Sequence, residues 1–118
     1  MKMNNSILLC LTVGPYGHED AFAAIALGNA ILARDMDISI VLRDDGVYVA
    51  HKNQDPSKIG VPNNLDILRD FIELGGKVYV SEGDMRERGL SEEDLIEGVE
   101  VISSYLELIE SHDVILTF

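Results

Sequence analysis

Ile7-Leu8-Leu9-Cys10-Leu11-Thr12-Val13, closed by Gly14-Pro15, is apolar at every position but Thr12. A strand with one solvated face alternates apolar and polar residues, whereas a strand covered on both faces of a parallel sheet reads as one continuous apolar run. The stretch therefore predicts a central parallel strand, and parallel neighbours require crossover connections, usually helical. The rest of the chain supplies them.

After a turn at Gly14 to Gly17, residues 19–34 favour helix, with His18 or Asp20 placed to cap the first turn. Phe22, Ile25, Asn29 and Leu32 form one stripe and Ala24, Leu27 and Ile31 another, so one face suits the sheet and the other a second surface, most simply another subunit. Ile38 to Leu42 reads as the second strand and Arg43-Asp44-Asp45-Gly46 as the turn at its end. Val47 to Pro62 reads as a long exposed loop, with room for a helical turn at Val47 to His51. Asn63 or Asn64 caps a helix carrying Leu65, Leu68, Phe71 and Ile72 on one side, and Gly75-Gly76 ends it.

Lys77 to Val80 is the third strand, followed by a short helix at about Asp84 to Arg88 and another begun by Ser91 with Glu92, Glu93 and Asp94. Val99 to Ile102 is a fourth strand. Ser103 or Ser104 caps a helix with Tyr105, Leu106, Leu108 and Ile109, and Val114 to Phe118 reads as a final buried strand. This alternation predicts an α/β fold: three α/β/α layers around a mostly parallel sheet of about five strands, flavodoxin-like in appearance. At 118 residues, one domain spanning residues 1–118 is expected.

Nine Lys and Arg face 21 Asp and Glu, a formal net charge of -12. Such a surface repels phosphate backbones and anionic membranes, so neither direct nucleic-acid binding nor membrane association is expected. No stretch approaches the roughly 18 apolar residues of a membrane span. The single cysteine, Cys10, forbids an intrachain disulfide, and no small-residue cleavage site follows the first apolar run. A cytoplasmic location is expected.

Open parallel sheets bind ligands outside the carboxyl ends of their strands. That edge gathers Gly14 to Asp20, Asp44-Asp45, Ser81 to Asp84 and Phe118, and the candidate ligand-binding residues are Gly14, Tyr16, Gly17, His18, Asp44, Ser81, Asp84 and Arg88. Ser81 and Asp84 have capping-box spacing, which makes the serine either a structural cap or a ligand-facing hydroxyl. His18 suits proton transfer or a partly exposed turn, while His51 and His112 read as surface residues. Glu19, Asp20, Asp44, Asp45 and Asp84 could converge on a hard cation or be solvated loop ends, and Arg86 and Arg88 could hold an anion or pin the turn through a carboxylate. Gly14-Pro15-Tyr16-Gly17 lacks both phosphate-loop fingerprints, and no histidine or cysteine spacing marks a metal site, so no cofactor and no metal are expected. Cys10, among apolar neighbours, is expected to be buried and inert.

Lys77-Val78-Tyr79-Val80-Ser81-Glu82-Gly83-Asp84-Met85-Arg86-Glu87-Arg88-Gly89-Leu90 resembles the sulfur-relay site of the DsrE/DsrF-like family. Gly14-Pro15-Tyr16-Gly17 with Glu19-Asp20-Ala21-Phe22, Leu95 to Glu100, and Val114 to Phe118 extend the likeness over most of the chain, especially to YchN-like members. The resemblance implies that fold and an assembly of homotrimer, homohexamer or mixed related subunits. It also implies a persulfide-bearing cysteine at the first position after the strand, often with a second cysteine three positions on and an Arg-Gly pair closing the turn. Here those positions hold Ser81, Asp84 and Arg88-Gly89.

Only sulfur holds a transferable persulfide, and a serine hydroxyl does not ionise at neutral pH without a base. The reading is thus a non-catalytic binding or scaffold subunit of the sulfur-relay type. The alternatives are a small-ligand or cation binder or enzyme using the acidic crevice around His18, Asp44 and Asp84, or sulfur chemistry moved to Cys10.

Overall fold

The computed structural model describes residues 6–14, 20–52 and 64–118. Strands β1 (Ser6–Leu11), β2 (Asp37–Leu42), β3 (Lys77–Ser81), β4 (Val99–Ile102) and β5 (Val114–Thr117) alternate with helices α1 (Asp20–Leu32), α2 (Asn64–Glu73), α3 (Glu82–Glu87) and α4 (Leu106–Ser111). The sheet order is β4-β3-β2-β1-β5, and every pairing is parallel. The α/β reading of the first apolar run holds, with β1 flanked on both edges.

The order explains an unequal distribution of helices. From β1 through β4 each step moves the same way across the sheet, so right-handed crossovers put α1, α2 and α3 on one face. The connection from β4 to β5 runs back past β1 and carries α4 to the opposite face. Accordingly the main core contains Ile7, Leu9 and Leu11 of β1, Ile38, Ile40 and Leu42 of β2, and Val78 and Val80 of β3, packed under Ile25, Leu68 and Phe71. On the second face the buried apolar residues among those described are Leu8, Cys10 and Val41, with Tyr79, Ile102, Tyr105, Leu108 and Ile109 partly covering them.

Three expectations need correction. Residues 114–118 are not a buried strand: Val114 is 38% exposed, Ile115 39% and Phe118 36%. β5 is an edge strand whose one crossover helix is six residues long, too short to cover it. Residues 44–50 include the helical turn allowed at Val47 to His51, but they are not an exposed loop. They form a 3-10 helix, Asp44–Ala50, whose Val47, Val49 and Ala50 enter the main core. The stretch from Ser91 makes one 3-10 turn, Glu92–Asp94, not a full helix. The rest of the expected loop, residues 53–63, lies outside the described residues.

Helix ends follow local chemistry. Gly75, at φ +96, accepts the left-handed backbone that ends α2, and Gly76 N–H reaches back to the Phe71 carbonyl at 3.0 Å. Ser104 Oγ accepts the Leu106 N–H at 3.3 Å, serving the start of α4 as the sequence suggested.

Candidate functional site

At the carboxyl edge β2 passes directly into the 3-10 helix. Asp44, with φ +50, reverses the chain, and Gly46 N–H donates to the Arg43 carbonyl at 2.8 Å. The 3-10 helix presses onto the end of β1: a Cβ on Gly46 would lie 2.0 Å from the Leu11 carbonyl oxygen. Gly14 sits under the same turn, a Cβ there falling 3.7 Å from the Asp45 carbonyl oxygen. On the neighbouring strand β3 runs into α3 with Ser81 as the junction.

Arg88 clasps the two segments together. Its Nε donates to Asp45 Oδ1 at 2.9 Å, and its Nη1 donates to the Asp84 carbonyl at 3.1 Å, with Asp84 Oδ1 at 4.0 Å. The hydrogen bond to Asp45 is the main cause of the raised pKa of Arg88. Thus Gly14, Asp44, Ser81, Asp84 and Arg88 all lie at this edge, and Arg88 is a pin between carboxylate-bearing turns. Tyr16, Gly17 and His18 lie outside the described residues. No group of three or more His, Cys, Asp or Glu among the described residues stands where it would hold a metal ion. His51 and His112 are partly exposed; Nδ1 of His112 lies 2.6 Å from the Leu108 carbonyl and donates to it.

Ser81 does not form the expected capping box, because its hydroxyl makes no capping hydrogen bond. As the last residue of β3 its side chain obeys the pleat, which places it on the same face as Tyr79. There it is 8% exposed. The box occurs ten residues later, where Ser91 N–H donates to Asp94 Oδ2 at 2.9 Å. That bond holds the Asp94 carboxyl below the usual range.

The same pleat brings forward residues that motif reading missed. Cys10 and Val41 pair across β1 and β2, and Val41 pairs with Tyr79, so Cys10, Tyr79 and Ser81 share the sparsely covered face. Arg43, two residues beyond Val41, continues that row. Its Nη2 donates to the Tyr105 hydroxyl at 2.6 Å, and its guanidinium carbon lies 3.8 Å from the Tyr105 ring centroid. Extending strand alternation one step past Leu42 would have placed Arg43; Tyr105, 62 residues away, left no local signal.

Cys10 is 2% exposed. Burial pushes its thiol pKa up, and the Arg43 charge offsets this only in part. The thiol is therefore protonated at neutral pH. Mild alkylation of native protein at pH 7 should leave Cys10 unlabelled until denaturant is added; rapid labelling of the folded protein would refute the burial.

The DsrE/DsrF-like family profile matches residues 5–118. An uncharacterized protein of Methanocaldococcus jannaschii is 39% identical over 110 residues, covering 92% of this chain and 95% of its own. The intracellular sulfur oxidation protein DsrF of Allochromatium vinosum is 32% identical over 84 residues, covering 70% of this chain and 62% of its own. The crystal structure of the ychN protein from E. coli superposes with a TM-score of 0.84 at 27% identity, covering 97% of this chain and 99% of that one.

Proposed function

The chain belongs to the DsrE/DsrF-like family, and from that premise we propose that it is a non-catalytic binding or scaffold subunit of a sulfur-relay assembly. The observation that carries the reading is Ser81. It occupies the strand-to-helix junction where the resemblance puts the sulfur-accepting cysteine, and it brings an oxygen. The chain's one thiol, Cys10, is enclosed within the sheet. The frame around the junction is otherwise intact, with Arg88 fastening it to the neighbouring turn. An acidic cation site is less well supported, since the Arg88 cation already takes the Asp45 carboxylate and lies 4.0 Å from that of Asp84.

On this reading the protein works in the cytoplasm as a homotrimer, a homohexamer or a mixed complex with related subunits. Among the described residues no helix is long and apolar enough to cross a membrane. Leu106, Val114, Ile115 and Phe118 are left exposed, and association would cover apolar residues of this kind.

The decisive experiment restores the sulfur. Ser81→Cys, treated with a sulfur donor and read by intact mass, should gain one sulfur atom, while the wild type gains none. A wild type that gains sulfur, or a folded Ser81→Cys protein that stays unmodified, would overturn the reading of this junction. Native mass spectrometry of the wild type tests the assembly half, which a monomer at every concentration would exclude.

A further inference from the structure

Among nine cations in a chain with 21 acidic residues, Arg43 is the anomaly. The exposed Arg86 pairs with Glu82 at 2.9 Å, and the exposed Arg34 and Arg69 have water to solvate their charge. Arg43 pairs with no carboxylate among the described residues. Its identified neighbours are a phenol hydroxyl, a phenol ring and the Cys10 thiol, which burial keeps protonated. Among the described residues its buried Nε finds no oxygen or nitrogen acceptor, and the Cys10 sulfur beside the guanidinium is at best a weak one.

An unpartnered guanidinium N–H away from water carries the full desolvation cost of that group, and such a group in a native protein calls for an acceptor. The missing acceptor is best an anion, because a carboxylate- or phosphate-like group adds charge pairing and can engage the guanidinium fork in two parallel bonds. Position strengthens the case. The side chain stands at the carboxyl edge of the sheet, where open parallel sheets bind ligands, in the strand row next to Ser81. Among the described residues, the cover on the face it occupies comes from the short α4 and the residues leading into it. Tyr105, just before α4, offers Nη2 an uncharged acceptor oxygen, which an anion can replace.

We propose that Arg43 is the anchor of an anion subsite beside Ser81, with Tyr105 as a displaceable cover, and that the site receives a compact anion with oxygen or sulfur acceptors. This deepens the reading of the edge as a binding site, on which it rests. It needs no group transfer by this chain: the anion is held, and the Tyr105 hydroxyl gives up its place. The net charge of -12 opposes anion uptake in general, so saturable binding would report this local cation.

The test uses the intact wild-type protein, with thiosulfate, sulfate and phosphate titrated at constant ionic strength. Calorimetry and the ¹H–¹⁵N resonance of the Arg43 Nε–H are the readouts. At least one anion should bind saturably and move that resonance. Arg43→Gln should weaken binding at least about tenfold, the loss of one charge-assisted hydrogen bond. Tyr105→Phe, which keeps the ring and removes the competing hydroxyl, should tighten it.

Absence of saturable binding, binding that leaves the Arg43 resonance in place, or equal affinity in folded Arg43→Gln would overturn the proposal. If Arg43→Gln does not fold, the wild-type resonance and Tyr105→Phe still decide. Glutathione persulfide as a separate titrant distinguishes sources. Tighter binding than thiosulfate assigns the subsite to a persulfide presented by a partner, and weaker binding to a free anion. Because no partner is present, failure here leaves the Ser81→Cys and assembly results standing.

Discussion

Phe71→Ala is expected to destabilise the fold by about 3–5 kcal/mol, the range for emptying an aromatic site in a packed core. Phe71 is the largest of the fully buried side chains, and glycines hold its ring from two sides. A Cβ on Gly28 of α1 would approach the ring to 3.2 Å, and one on Gly76 to 2.3 Å. Backbone lines the space the ring fills, and backbone relaxes less than side chains, so the alanine variant would keep most of the cavity. Urea unfolding should show a lower midpoint with an unchanged slope. Phe71→Leu, which retains most of the volume, should lose markedly less. A loss below 1 kcal/mol for the alanine variant would mean that the ring is not a core element.

Gly46→Ala should cost about 3 kcal/mol, at the upper end for overpacking. The methyl group would meet the Leu11 carbonyl oxygen at 2.0 Å, and that oxygen already accepts the Arg43 N–H at 2.9 Å. Relief requires the 3-10 helix to lift from the end of β1, carrying Asp45 away from Arg88. The substitution should therefore lower the melting temperature on the order of 10 °C and also weaken the Arg88 clasp. Arg88→Gln, by contrast, removes a partly exposed pairing and should shift stability by about 1 kcal/mol or less. If Gly46→Ala melts with the wild type, the close approach of the two backbones is wrong.

The strand run at residues 7–13 carried the fold because an unbroken apolar stretch has few explanations, and the helices between strands followed from caps and glycine stops. What depended on distant partners did not show. Val114-Ile115-Leu116-Thr117 has the composition of a covered strand, yet its exposure is decided by its place at the sheet edge and the brevity of α4. Ser81 and Asp84 have the spacing of a cap, but the pleat of β3 had prior claim on the serine side chain. At the carboxyl edge, the positions of Asp44, Asp84 and Arg88 were legible because each follows a strand, Asp44 opening the 3-10 helix and Asp84 and Arg88 lying in and at the end of α3. Arg43 looked like one more turn residue. Only the arrival of Tyr105 from far along the chain gives its charge an unusual setting.

The pairing of β5 with β1 also bears on how the molecule is made. Ile7 lies opposite Val114, and Phe118 exchanges backbone hydrogen bonds with Cys10 and Thr12 at 2.9 and 2.8 Å. During translation β1 lacks its partner on one edge until β5 has cleared the ribosome. So distant a closure slows folding and leaves an apolar edge open to premature aggregation meanwhile.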